Sequence, residues 1–299
     1  NGEIPDVFPV NDPLITSEGY ELNKRDRQSY AILHQVSGEY RGSFGDLTTV
    51  LGLRAPFFRR NLNQFCYTTS ASGFLDCIDP SNAAAYEAAN PNAAVPQQRI
   101  YEYDELLPNV GLVYDLGDAS IFANYAKGLS VPGTDVLYDA IFFPESAASA
   151  RPNPETTDTI DAGLRFTNGN IQAQIAGYFT RYENRLATSY DPVLDETITR
   201  NLGQVDKYGV DASIAYQPTR DLLLYAFGSW NESEIKDDVQ DGIDGTGAPI
   251  FLPTGGKNES GAPLWSVGGR VQYNLGPIEF GAQAKHTGKR FVNDTNTAE

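Results

Sequence analysis

The stretch Ile160-Asp161-Ala162-Gly163-Leu164-Arg165-Phe166 sets Ile, Ala, Leu and Phe at alternate positions, with Asp161, Gly163 and Arg165 between them. A side-chain period of two puts such sets on opposite faces of a β-strand. The same phase recurs in Val210-Asp211-Ala212-Ser213-Ile214-Ala215-Tyr216, and again in Trp265 to Tyr273, Ile171 to Phe179 and Ile278 to Lys285. The expected polar face carries Asp161, Arg165, Gln172, Gln174, Asp211, Arg270, Gln272 and Lys285. The expected apolar face carries Ile160, Leu164, Ile175, Val210, Ile214, Val267 and Val271. Alternation by itself fits two architectures. A soluble sandwich turns the apolar face inward, whereas an outer-membrane barrel turns it out to lipid and lines its lumen with the polar face.

Connection lengths separate the two. Tight turns are expected at Gly45-Asp46, Gly117-Asp118, Asn168-Gly169, Pro218 to Asp221 and Gly276-Pro277. Between the hairpins lie long segments, 59–99, 129–156 and 236–262, rich in Pro, Gly, Asn, Asp and Ala. Long loops are uncommon inside compact soluble domains. Short turns at one end and long loops at the other are the asymmetry of an outer-membrane barrel. The expected strands, about ten of them, are 30–43, 46–58, 100–116, 119–128, 157–167, 170–185, 199–217, 221–235, 263–275 and 278–290. Tyr101, Tyr103, Tyr114, Phe166, Tyr216, Trp230, Trp265 and Tyr273 fall near strand ends, where interfacial girdles place aromatic rings.

Composition narrows the classes further. The 299 residues carry 22 Lys+Arg against 39 Asp+Glu, a formal charge of −17, which argues against a nucleic-acid surface. No run is long and apolar enough for a helical membrane span. The first residues, polar and acidic, do not read as a signal peptide. The chain has no Met, so it is expected to be a processed or excised part of a longer product. Cys66 and Cys77 are the only cysteines. Ten residues lie between them in a Ser-, Thr-, Asn- and Asp-rich stretch, so a disulfide is expected, with an oxidising compartment.

Several strings resemble the TonB-dependent outer-membrane receptors. They are Asn153 to Arg165, Leu107 to Tyr114 with Tyr125 to Leu129, Asn201-Leu202-Gly203 with Tyr208-Gly209-Val210-Asp211, and Gly288 to Thr297. Asp211 stands where the family usually has Glu. The resemblance implies an all-β, antiparallel transmembrane β-barrel segment with short periplasmic turns and long extracellular loops. It further implies about ten strands of a barrel of about 22, with residues 1–299 as a partial barrel domain lacking the family's plug domain and TonB-box. The location implied is the outer membrane of a Gram-negative bacterium. The partners implied are the TonB–ExbB–ExbD complex acting through a plug, outer-membrane lipid and lipopolysaccharide, and a small ligand such as a metal chelate.

The residues offer no catalytic constellation. His34 and His286 are the only histidines, no nucleophile is paired with a base, no phosphate loop is present, and no cofactor is expected. Arg54, Arg59 and Arg60 beside Phe57, Phe58, Phe65 and Tyr67 suit an anionic or planar ligand through charge-assisted bonds and stacking. Tyr138 and Arg151 in the second long segment read the same way. Each could equally serve the wall itself, meeting lumenal carboxylates or lipid phosphates. Asp237, Asp238, Asp241 and Asp244 form an acidic run with the oxygen donors calcium favours, but without EF-hand spacing. The leading reading is a receptor and transporter for a scarce nutrient such as a ferric siderophore, with vitamin B12 or an oligosaccharide as other substrate classes. A passive porin-like channel and a soluble, secreted, β-rich glycan-binding protein are the alternatives.

Overall fold

The computed structural model describes residues 14–15, 21–22, 26–68, 75–77, 80–89, 91, 97–142, 145, 150–191, 196–243 and 248–298. The strands up to the first long loop are β1 (Leu14–Ile15), β2 (Glu21–Leu22), β3 (Arg27–Phe44) and β4 (Leu47–Gln64). Within that loop lie β5 (Tyr67–Thr68), β6 (Leu75–Asp76) and helix α1 (Ala83–Ala89). There follow β7 (Gln97–Asp104), β8 (Leu107–Asp115), β9 (Ala119–Ser130) and helix α2 (Thr134–Ala140). Next come β10 (Glu155–Asn168), β11 (Ile171–Glu183), β12 (Leu186–Asp191), β13 (Glu196–Asn201), β14 (Val205–Thr219) and β15 (Leu222–Ile235). The last are β16 (Val239–Ile243), β17 (Pro249–Leu252), β18 (Trp265–Leu275) and β19 (Ile278–Thr287).

Eleven of these strands form one open antiparallel sheet in the order β19-β18-β15-β14-β11-β10-β9-β8-β4-β3, with β7 also paired to β4, and the other eight pair off as β1–β2, β5–β6, β12–β13 and β16–β17. Expectation and structure differ at two places. The strand expected over 100–116 breaks at Glu105-Leu106 into β7 and β8. The strand expected over 199–217 starts only at Val205, because the chain turns off the sheet at Gly203, whose φ of +66° suits glycine. Residues before that point pair instead as the β12–β13 hairpin.

By contacts the chain divides into two units. One comprises 1–34, 57–104 and 133–152, and the other 35–56, 105–132 and 153–299. In the second unit the expected turns are seen at 45–46, 117–118, 169–170, 220–221 and 276–277. Gly45, Gly117, Gly169 and Gly276 all have positive φ, as tight hairpin turns demand. The turns are zipped along one edge. Carbonyls of Asp46, Asp118, Asn170 and Asp221 accept 2.8 Å bonds from the amides of Asp115, Thr167, Gln217 and Asn274.

Register then fixes the slant of the strands. One row of partners runs Leu47, Tyr114, Ile121, Leu164, Ile175, Ala212, Gly228, Val267, His286. It starts at the turn end of β4 and finishes near the loop end of β19. Eight interstrand spacings cover about 38 Å, while the eight positions from Ile278 to His286 cover about 26 Å. Their ratio gives a tilt of roughly 35°, the value that transmembrane barrels adopt.

The same row shows that each face keeps its phase across the sheet. All seven apolar-face residues named above are solvent-exposed, from 40% for Val210 to 54% for Ile160. The polar face is also open, with Arg165, Gln172, Gln174, Asp211, Arg270 and Lys285 exposed. Side chains along β10, β11, β14 and β18 therefore leave a stripe of bare Ile, Leu and Val, which is built for hydrocarbon rather than water. A cluster of buried apolar residues lies instead at the loop end, where Leu202, Val205, Ile235, Val239 and Ala187 pack with Tyr182.

Replacing Ile175 by Arg, in the middle of the apolar band, is expected to cost about 2–4 kcal/mol of folding free energy in lipid vesicles. Gln174→Arg, one position along on the polar face, is expected to cost less than about 0.5 kcal/mol. Urea titrations that rank the two equally, or reverse them, refute the face assignment.

Candidate functional site

Two sets of polar residues fix the loop-end segments, one in each unit. In the first unit Thr134, Leu137, Tyr138, Ala140, Ala150 and Pro152 meet β4 and β7. Arg99, only 7% exposed, donates from Nη1 to the carbonyls of Ala140 at 2.9 Å and Ala150 at 3.3 Å. Tyr101 Oη donates to the Leu137 carbonyl at 3.2 Å, and Tyr103 Oη to that of Pro152 at 2.9 Å. Period two places Arg99, Tyr101 and Tyr103 on one face of β7, so three consecutive inward positions hold one segment. Burial, reinforced by the neighbouring Tyr101, pushes the Tyr103 phenol up to about 12. It remains a neutral donor through any physiological pH. Tyr138 on α2 is buried, its hydroxyl meets the Asn63 carbonyl at 3.4 Å, and the Arg27 guanidinium lies 4.4 Å over its ring. Arg60 Nη1 donates to Thr134 Oγ1 at 2.9 Å.

In the second unit Glu259, on the segment between β17 and β18, is nearly buried between two cations. Arg185 reaches it at 2.7 Å and Lys207 also at 2.7 Å. Arg185 bonds Glu155 at 3.0 Å as well, and the Tyr182 ring lies 4.7 Å from Arg185 and 5.0 Å from Lys207. Burial alone would raise the Glu259 carboxyl. The bonds from Arg185 and Lys207 outweigh it and hold the group below its usual range. On the other face of the sheet Arg181 grips Asp206 with two bonds, at 2.9 and 3.2 Å. That contact, partly opposed by burial and helped by Gln204 and Lys236, lowers the Asp206 carboxyl. The segment 288–297 is bound back as well. Asn296 exchanges 2.8 Å bonds with the Asn258 backbone, and Asp294 accepts from the Ser260 amide at 2.9 Å.

The candidate ligand residues do not form one cluster. Arg59 and Arg60 take opposite faces of β4, with Arg59 exposed and 3.7 Å from Glu102. Arg60 and Tyr138 come together under α2, whereas Arg54 and Arg151 are exposed. The side chain of Tyr67 lies outside the described residues. Cys66 and Cys77 are joined in a disulfide, with Cα atoms 4.4 Å apart. Of the acidic run, Asp238 caps the Gly255 amide at 2.9 Å and Asp237 is exposed. The Asp241 side chain and Asp244 lie outside the described residues. Among the described residues no group of three or more His, Cys, Asp or Glu could hold a metal ion. Arg27, Arg99, Arg185 and Glu259 were not singled out from the sequence. Their partners stand 30 to 108 positions away, beyond the reach of any local pattern.

Tilted strands with an exposed apolar face, tight turns on one edge and long, inward-anchored loops on the other define the wall of a transmembrane β-barrel. The chain belongs to the family described as TonB dependent receptor-like, β-barrel, whose model matches residues 3–299. It is 36% identical over 91 residues to the TonB-dependent receptor SusC of Bacteroides thetaiotaomicron, a match covering 27% of this chain and 9% of that protein. Among solved structures it resembles the siderophore receptor PiuA from Acinetobacter baumannii, with a TM-score of 0.67 at 17% identity, over 91% of this chain and 35% of that one. The ferric yersiniabactin uptake receptor FyuA from Yersinia pestis gives a TM-score of 0.61 at 12% identity, over 91% of this chain and 37% of that one. The chain thus spans little more than a third of these solved structures.

Glu259→Leu strands Arg185 and Lys207 without their shared counter-charge. The expected loss of local stability is about 3 kcal/mol, the low end for a broken buried pair because both cations keep some exposure. Hydrogen exchange over 253–264 measures it. Acid acts in the same direction. Glu259 and Asp206 both titrate lower folded than unfolded, so their contribution is complete above the ordinary carboxylate values of 4.5 and 3.8. It is lost as pH falls through the lowered folded values. Protection of this segment should hold from about pH 7 to pH 5 and decline only below about pH 4; loss already at pH 6 contradicts the assignment.

Proposed function

We propose that residues 1–299 are one stretch of the barrel wall of a larger outer-membrane receptor that takes up a scarce nutrient, a ferric siderophore being the favoured class. In this reading the segments 59–99, 129–156 and 236–262 stand on the extracellular side. Uptake is driven by TonB with ExbB and ExbD through a plug domain, and the bare apolar face meets outer-membrane lipid and lipopolysaccharide. Arg54, Arg59, Arg60, Tyr67, Tyr138 and Arg151 remain the ligand candidates, of which Arg60 and Tyr138 stand together.

The observation that carries the reading is the combination of family membership with the exposed apolar face of the sheet. A siderophore receptor and a ferric yersiniabactin uptake receptor among the structural relatives favour iron chelates over other nutrients. Among the described residues β3 and β19 each have a strand partner in the sheet on one side only, and lipid tolerates such an edge only when a neighbouring strand covers it.

Iron-limited cells expressing the intact receptor should accumulate radiolabelled iron from a ferric siderophore mixture, and deleting TonB should abolish the accumulation. Uptake that persists without TonB points to a passive channel instead. Uptake equal to that of receptor-less cells removes iron chelates as the substrate class.

A further inference from the structure

Beneath α2 three donors of the wall are unsatisfied. Nε of Arg27, Nε of Arg60 and Nε2 of Gln64 are buried and have no hydrogen-bond partner. Gln64 is 1% exposed and Arg27 keeps only 14% of its side-chain surface. The three belong together. The Phe65 amide bonds the Asp26 carbonyl at 3.1 Å, and Asn63 reaches the Gln28 carbonyl at 3.4 Å, which sets Gln64 opposite Arg27. The Arg27 guanidinium lies 4.4 Å over the Tyr138 ring, and Arg60 bonds Thr134 one turn earlier on the same helix. Two guanidinium groups and an amide N–H thus share one face beneath α2, where Thr134 Oγ1 and Asp135 Oδ1 meet only terminal nitrogens of the arginines. Burying such donors unpaired is unfavourable, and native structures rarely leave them so.

One carboxylate already touches this set. Asp135 Oδ1 lies 3.2 Å from Arg27 Nη1, yet the Asp135 side chain is 80% exposed. A pair with one fully hydrated partner is held weakly. Asp135 can therefore leave at small cost, whereas the buried Arg27 cannot remain without an anion. We infer that Arg27, Arg60 and Gln64 form a subsite for a carboxylate of the transported ligand, with Asp135 as the resident group that the ligand displaces. A carboxylate fits because the planar guanidinium fork binds it through two oxygens, and because the occupant seen is itself a carboxylate. Seating it brings acceptor oxygens to the idle Nε and Nε2 donors, while Arg99 and Tyr101 keep α2 on the wall. The inference rests on the receptor reading above and deepens it.

Isothermal titration of the intact, detergent-solubilised receptor with citrate tests the subsite. Citrate should bind the parent protein. Asp135→Asn, which removes the competing charge, should tighten binding about five- to tenfold. Arg60→Gln and Gln64→Leu should weaken it at least tenfold, while Glu102→Gln, on the opposite face, should leave it unchanged. Should the Arg60 or Gln64 variant fail to fold, as judged by heat-modifiable migration, the Asp135→Asn gain alone decides. Absent citrate binding, or an Asp135→Asn affinity equal to or below that of the parent, overturns the subsite. The two readings fail separately. TonB-dependent iron uptake with unaltered citrate affinities keeps the receptor and removes the subsite. Shifted affinities with TonB-independent uptake keep the subsite and remove the receptor.

Discussion

Hydrocarbon offers no hydrogen bonds, so a chain that spans it must pair every backbone amide and carbonyl within itself. The sheet meets that demand between neighbours. From β8 to β18 the strands of the sheet are laddered on both sides, except that Lys127–Ser130 of β9 and Asn231–Ile235 of β15 have a strand partner on one side only. The carbonyls of turn residues Asp46, Asp118, Asn170 and Asp221 extend the ladder past the strand ends. Once the backbone is closed in this way, side chains are free to face two different solvents. The period of two does the rest, which is why both faces can stay bare without a packed centre. Stability that a soluble domain draws from its core is here drawn from the ladder and from lipid.

That same constraint explains what the amino-acid sequence made legible. A strand crossing lipid must alternate strictly, so Ile160 to Phe166 or Val210 to Tyr216 betrays its faces locally. Turns confined to two residues must use glycine or its equivalents, so Gly45, Gly117, Gly169 and Gly276 were readable in place. The loops obey no such rule. The grip of Arg99, Tyr101 and Tyr103 on 133–152 joins residues 36 to 51 positions apart, and that of Arg185 on Glu259 spans 74. Both arise only after the sheet has brought distant strands side by side. The break at Glu105-Leu106 and the early departure at Gly203 were missed for a related reason. Above the membrane, strands no longer owe lipid an unbroken ladder, so the chain there follows its tertiary contacts.

Anchoring the loops inward also bears on what a receptor wall must do. Arg99 is spent on main-chain carbonyls and Glu259 on two cations, so these residues set the shape of the inner surface rather than offer groups to a ligand. The region under α2 differs from both. Its donors outnumber its acceptors, and its one charged partner faces water. The helix α2 is itself held on the wall by Arg99 and Tyr101, so it is the idle side-chain donors beneath it that stay available to a ligand. The separation of Arg59 from Arg60 follows the same logic, since a one-position step on a strand exchanges the inner surface for the outer.

The outer face carries its own record of where lipid ends. On the apolar phase Phe179 is followed two positions toward the loops by Arg181, Tyr208 is preceded by Asp206, Trp230 leads to Glu232, and Tyr125 leads to Lys127. In four strands an aromatic ring and then a charge stand in the same order along the same face. A ring with an amphipathic edge suits the headgroup boundary, while a charge placed inside the band would cost about 2–4 kcal/mol near its middle. Below the ring the apolar phase runs eight positions, as from Tyr208 to Tyr216 and from Trp265 to Tyr273. Along a strand that is about 26 Å, and at a tilt of roughly 35° it projects to about 22 Å, close to the apolar band of outer-membrane barrels. The charges beyond the ring are mostly paired, Arg181 with Asp206 and Lys127 with Glu105 at 2.8 Å. Pairing there reduces the charge that the lipid boundary must accommodate. The height of the band and the slant of the register, obtained from different observations, therefore agree on one membrane.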